Sequence, residues 1–184
     1  GAQREGGKLF AWRQQGERTL ALGAAQSNSD VDRLRWGMGS TLRKGRWRAA
    51  AEYIRADGVI FVGSDAGAVP GTLNNAGTAV ASWNVLPDDE ADGWYADVGF
   101  SVSPVLELDL RYDVLRRATA TAAEERRFET WTAGVQYRVV RAVRVLLNYE
   151  FRRAEAPRLP AGDTPNQILD GMDDLLSMQV QWSF

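Results

Sequence analysis

Neither cysteine nor histidine occurs in this chain of 184 residues. The first absence excludes a disulfide framework, a thiolate metal site and cysteine catalysis. The second removes the usual general base and the commonest zinc ligand, leaving carboxylates, Lys, Ser and Tyr for any chemistry. Lysine is nearly absent too, with only Lys8 and Lys44. An excess of either charge is also lacking: 22 Lys plus Arg against 24 Asp plus Glu leave a net charge of -2. No global field therefore recruits nucleic acid or an acidic membrane surface. No apolar run approaches the roughly 18 residues of a transmembrane helix, but a membrane barrel stays open because its strands signal only by alternation. The chain begins at Gly1 with no Met and no charged-then-apolar leader, and it is expected to be a processed or excised product. Its length needs no more than one domain, 1–184.

What is present is alternation of apolar and polar residues with period two, in segments of roughly ten residues, the length a tilted strand needs to cross a bilayer. The segments are Lys8 to Gln14, Arg18 to Gln26, Asp32 to Leu42, Arg46 to Arg55, Trp94 to Val102, Val105 to Arg116, Phe128 to Arg138, Ala142 to Arg152 and Asp174 to Phe184. In "AVRVLLNYEF", Val143, Val145, Leu147, Tyr149 and Phe151 take one side while Arg144, Leu146, Asn148, Glu150 and Arg152 take the other. A helix would smear these residues around every face, so they predict strands.

The connections alternate in length. Short turns are expected at Gly16-Glu17, Arg43-Lys44-Gly45, Ser103-Pro104 and Val139-Val140-Arg141. Longer links fall between them, with 56–93 and 153–173 expected as external loops. Membrane barrels have this polarity, short turns on the periplasmic side and long loops outside. Within the longest link, "TAVASWNVL" either belongs to an external loop or folds inward to narrow a pore, and Pro70 with its neighbouring glycines argues against a continuous strand.

One parity of the strands carries Arg33, Arg35, Arg48, Glu52, Asp97, Glu107, Asp109, Arg111, Asp113, Arg138, Arg144, Glu150 and Arg152. These are candidate lumen-lining charges, arranged as basic, acidic and basic stripes that either set a field across an opening or neutralise one another. Aromatics sort by height: Trp47, Phe100, Tyr137 and Trp182 near the short turns, and Tyr53, Trp94, Tyr112, Phe128, Tyr149 and Phe151 near the long links. Two such levels are expected of aromatics at the two lipid interfaces.

The last strand, "LLSMQVQWSF", ends in an aromatic, Trp182, followed two residues later by Phe184. It resembles the C-terminal signature of bacterial outer-membrane barrels, and with "VRVLLNYEFRR" it resembles the end of a phosphate-selective porin-like protein. The resemblance implies that Phe184 is part of an assembly signal read by the barrel-assembly machinery. Phosphate selectivity does not carry over, because the acidic stripe opposes it and the family's lysine ladder is absent.

The fold expected is therefore all-β, an antiparallel transmembrane β-barrel with eight or nine strands in this chain, part of a larger porin-like barrel in the bacterial outer membrane. An even strand number is the rule, and nine strands would put Gly1 on the external side, so either Lys8 to Gln14 does not cross the membrane or the chain is part of a barrel cut within an external loop. The function expected is passive diffusion of small polar or ionic solutes past a charged wall. The alternative is a small closed barrel acting as a structural or partner-binding scaffold. Expected partners are outer-membrane lipid, the assembly machinery and a second polypeptide or larger envelope complex, with no nucleic acid. No cofactor or enzymatic role is expected; Asp88-Asp89-Glu90 and Asp173-Asp174 could attract a divalent cation, but no loop has a calcium spacing.

Overall fold

The computed structural model describes residues 5–20, 29–63 and 83–182. In chain order the elements are β1 (Gly6–Leu20), β2 (Ser29–Lys44), β3 (Trp47–Asp57), β4 (Ile60–Gly63), β5 (Trp83–Leu86), β6 (Glu90–Ser101), β7 (Leu106–Arg117), β8 (Arg126–Val140), β9 (Val143–Glu155), α1 (Thr164–Asp170) and β10 (Leu175–Trp182). Eight strands form one antiparallel sheet in the order β1-β2-β3-β6-β7-β8-β9-β10, a meander in which each strand pairs with its neighbour in that order. Among the described residues β1 and β10 are its two edges. The remaining strands, β4 and β5, pair with each other as a separate ribbon rising from the link between β3 and β6.

Two expectations change. The turn at Gly16-Glu17 does not form: β1 runs straight through it, with Gly16 opposite Arg33 and Glu17 opposite Asp32. A Gly-Glu pair reads locally as a turn, but the long β2 supplies ladder partners for every residue on both sides of it, and that pairing decides. The nine expected segments thus become eight sheet strands, an even number, and β1 enters from the short-turn end instead of the external one. The link 153–173 is also not loop throughout. β9 continues to Glu155, and Pro165, at the start of the helix where a missing N–H costs nothing, opens the one-helix insert α1.

The expected alternation of connections holds. Two-residue turns join β2 to β3 and β8 to β9, and residues 102–105 join β6 to β7; in sequence these alternate with the longer links 21–28, 58–89, 118–125 and 156–174. Gly45, with φ of 58°, supplies the left-handed residue of the β2–β3 turn.

Among the described residues, fully buried apolar ones are few and lie at the long-loop end. Ile60 and Ala118 pack with Ala56, Leu86 and Ala91; Ala154, Ala156 and Leu169 pack with Phe128, Leu159 and Met172. Elsewhere one whole face of the sheet is uncovered, with Met178 71% and Trp182 75% exposed. That is far from the interior of a water-soluble sandwich, where both inner faces are buried.

The exit from β3 is held by an unusual bend. Gly58 has φ of 72° and Val59 φ of 55°, a region that L side chains rarely adopt. A Cβ on Gly58 would lie 2.2 Å from the carbonyl oxygen of Asp32. Gly58→Ala is therefore expected to destabilise the fold by about 2 kcal/mol or more, measurable as a lower urea midpoint in detergent micelles, whereas Gly16→Ala, with open space around its Cα, should shift it by less than about 0.5 kcal/mol.

Candidate functional site

Directly paired residues of an antiparallel sheet share a face, so the register sorts the strands into two surfaces. One surface holds Arg33, Arg35, Arg48, Glu52, Asp97, Glu107, Asp109, Arg111, Asp113, Arg138, Arg144, Glu150 and Arg152. The other holds Leu108, Leu110, Val98, Val135, Val145, Leu147, Met178 and Val180.

The centre of the charged surface is Arg48. Its Nη1 donates to Asp97 at 2.9 Å, its Nε to Glu107 at 3.1 Å and its Nη2 to Asp109 at 2.5 Å. One guanidinium thus serves three carboxylates on two other strands. To reach β7 from β3 it must cross β6, and it does so over Gly99. A Cβ there would meet Asp109 Oδ1 and Glu107 Oε1 at 2.7 Å and Arg48 Nη2 at 2.9 Å. From Asp109 the network continues: Gln136 Nε2 donates to Asp109 Oδ2 at 2.6 Å, Arg144 Nη1 to Gln136 Oε1 at 3.0 Å, and Arg144 Nη2 to Gln181 Oε1 at 2.8 Å. A continuous polar chain therefore runs from β3 to β10.

Several other charges on this surface have structural partners. Arg35 donates to the carbonyls of Leu34, Asp57, Gly58 and Val59 at 2.8–3.1 Å and so clamps the left-handed bend. Arg152 donates to the carbonyl of Asp173 at 2.8 and 2.6 Å and ties the last loop to β9. Arg111 reaches Asp113 at 3.3 Å and lies over the ring of Tyr95 at 4.2 Å. Arg138 donates to the carbonyl of Pro104 at 3.3 Å. Arg33 stands opposite Gly16, and Glu150 opposite Thr132 and Leu175.

The acidic clusters also have structural work. Asp89, 3% exposed, accepts from the amides of Glu90 and Ala120 and stitches the β5–β6 link to the β7–β8 link. Asp174 accepts from Tyr149 Oη at 2.9 Å and from the Arg152 amide at 3.1 Å. Among the described residues no group of three metal-ligating side chains forms.

Both inserts at the long-loop end pack onto the charged surface, because Ala56, Ala91, Phe128 and Ala154 all belong to it. Leu86, the last residue of "TAVASWNVL", packs there with Ala56 and Ala91, while 78–82 lie outside the described residues.

On the apolar surface Trp47 packs on Phe100 with centroids 4.6 Å apart near the short turns, where Tyr137 and Trp182 also lie. A second row comprises Trp36, Tyr53, Trp94, Tyr112, Trp131, Tyr149 and Phe151, with ring centroids 4.5 to 5.5 Å apart in the pairs Trp36–Tyr53, Trp94–Tyr112, Tyr112–Trp131 and Tyr149–Phe151. Phe128 is a correction: its register opposite Leu115 and Ala154 puts it on the charged surface, beneath Arg117, whose guanidinium lies 5.2 Å from its ring. Trp131 takes the place in the row that Phe128 was expected to fill. Beyond the row the same surface turns ionic, through Arg55–Asp57, Arg55–Glu90, Arg116–Asp92 and Arg127–Glu129. Phe184 lies outside the described residues.

Sequence reading overlooked the aromatics of the charged surface. Trp12 covers Gly37 and donates from Nε1 to Glu52 at 3.0 Å, and Phe10 covers Gly39. The signal was present in the spacing of Gly37 and Gly39, two small residues on the polar parity facing two large ones.

No family model matches the chain, and no curated protein matches it. Among solved structures, OmpT with a deletion of its loop L8, an outer membrane protein of Vibrio cholerae, superposes with a TM-score of 0.53 at 13% identity. The fold is that of an outer-membrane β-barrel. The match covers 81% of this chain and 44% of that one, so this chain spans less than half the length of its structural neighbour. It reaches the barrel class and not the phosphate-selective porin-like family.

Arg48→Met would leave Asp97, Glu107 and Asp109 facing one another without their shared cation. The site is about a quarter exposed, so the cost is expected near 1–3 kcal/mol and not at the higher value of a fully buried pair. A urea midpoint that is unchanged in Arg48→Met would show that the three carboxylates do not depend on it.

Proposed function

We propose that this chain forms part of the wall of an outer-membrane channel whose charged surface lines a water-filled lumen and lets small polar or ionic solutes diffuse through. The supporting observation is the division of the sheet into two surfaces of opposite chemistry. Large apolar side chains stand uncovered on one, flanked by two aromatic rows, as a lipid-facing surface requires. The other carries a hydrogen-bonded ionic network that needs water or partners, never hydrocarbon.

The channel reading also draws on the edges. Eight strands closed on themselves leave an interior just filled by side chains, whereas larger barrels leave an aqueous passage. Here β1 and β10 do not pair with each other among the described residues, and each presents a row of backbone groups that must be satisfied inside a bilayer. We infer that further strands, from the same polypeptide or from a second one, complete the wall. The location that follows is the bacterial outer membrane, with the last strand presented to the assembly machinery.

The scaffold reading has one observation in its favour: both long-loop inserts pack over the charged surface and narrow that end. Bilayer recordings from purified particles separate the two. Channels are expected, with cation permeability falling in Asp109→Asn and rising in Arg144→Gln, each by roughly two- to fivefold in the permeability ratio, as befits one lumen charge in a focused field. Silent bilayers from correctly folded particles would leave the scaffold.

A further inference from the structure

At the short-turn end of the charged surface a cavity of about 490 Å³ opens between the β2–β3 and β6–β7 turns and the adjoining ends of β6, β7, β8 and β9. Its walls include Arg46, Arg138 and Arg144, with Ser101, Gln136 and Glu107 between them. The acceptors of the three arginines are neutral. Arg46 Nη1 reaches the carbonyl of Val102 at 3.5 Å, Arg138 Nη1 that of Pro104 at 3.3 Å, and Arg144 the side-chain oxygens of Gln136 and Gln181 at 3.0 and 2.8 Å. Among the described residues, no carboxylate lies within ion-pairing distance of any of the three. Glu107, the one acid in the lining, is already engaged by Arg48 Nε at 3.1 Å and Ser101 Oγ at 3.3 Å.

Three guanidinium groups are thus oriented toward one concavity and hold their charge without neutralising it. A guanidinium presents a planar fork that fits the two oxygens of a carboxylate or phosphate, and a concavity in which one sign of charge predominates raises the local concentration of the opposite ion. Next to the cavity stands the Arg48 cluster, where one cation meets three carboxylates. An anion drawn to the arginines therefore meets repulsion from the carboxylates beyond, and it stays at the mouth instead of passing inward.

We propose that this cavity binds the oxyanion group, carboxylate or phosphate, of a small solute arriving from the short-turn side. The proposal rests on the lumen reading for the route of entry, but binding itself needs no conduction. The probes are succinate and inorganic phosphate, titrated at low ionic strength into the detergent-extracted particle and followed by calorimetry. Binding of at least one probe is expected, weakened at least about tenfold in Arg138→Gln/Arg144→Gln, because charge-assisted bonds to the anion are lost. Arg153→Gln, on the outward rim of ion pairs, should leave it unchanged. Arg46→Gln, in the β2–β3 turn and outside the ladder, tests the site separately from folding of the double variant and should weaken binding about threefold. Succinate alone binding identifies a carboxylate solute, and phosphate alone a phosphorylated one or phosphate itself. No binding of either probe, or binding that survives both the double variant and Arg46→Gln, overturns the site. Binding without conductance keeps the site and removes the channel; conductance without binding does the reverse.

Discussion

Everything in this sheet depends on register. Because side chains alternate with period two, sliding any strand by one residue would turn its charges toward the apolar surface and its leucines toward the ionic one. The pairing of Asp97 with Arg111, of Gly99 with Asp109 and of Glu107 with Gln136 keeps the polar side chains of β6, β7 and β8 together. Backbone hydrogen bonds alone would accept either register equally. It is the two incompatible surroundings of the two surfaces that select one, since a charge facing hydrocarbon costs several kcal/mol.

A surface that carries so many long polar side chains must also give them room, and glycine supplies it. Gly37, Gly39, Gly93, Gly99 and Gly134 all fall on the charged surface by register. Four of them would meet a neighbour's side chain within 3 Å if they carried a Cβ: Trp12 over Gly37, Phe10 over Gly39, the Arg48 group over Gly99 and Asn148 over Gly134. The cost in strand propensity is offset by cross-strand contacts that a Cβ would prevent.

The alternation of apolar and polar residues made the strand class, the two surfaces and the rhythm of short and long connections legible before any coordinates. What it could not deliver followed from long-range pairing. Gly16-Glu17 looks like a turn to any local rule, and only the length of β2 reveals that the ladder continues through it. Phe128 has the right residue type and height for the aromatic row, but β8 continues past it to Arg126 and the register against Leu115 fixes it on the other side. The charged residues were legible as a set, but their division of labour was not. Nothing in the spacing of Arg35 and Arg48 says that the first binds four backbone carbonyls while the second holds three carboxylates.

That division of labour gives the charged surface its direction. At the long-loop end the arginines are consumed in architecture: Arg35 clamps a bend, Arg152 fastens a loop, and Arg158 joins Glu125 at 2.6 Å to link two of the inserts. One residue into β3 from the short turn, Arg48 is outnumbered by acids. Arg46, Arg138 and Arg144, nearest the short turns, have neutral acceptors, as Arg35 and Arg152 do, but these three line one cavity. Toward the short turns the surface therefore sets an acidic cluster beside a basic cavity, and a neutralised wall would show neither. Charge separation of this kind is costly to maintain unless water screens it. The same ionic layout that would strain a dry, closed interior is stable beside water, and that is the physical ground on which a lumen is proposed here.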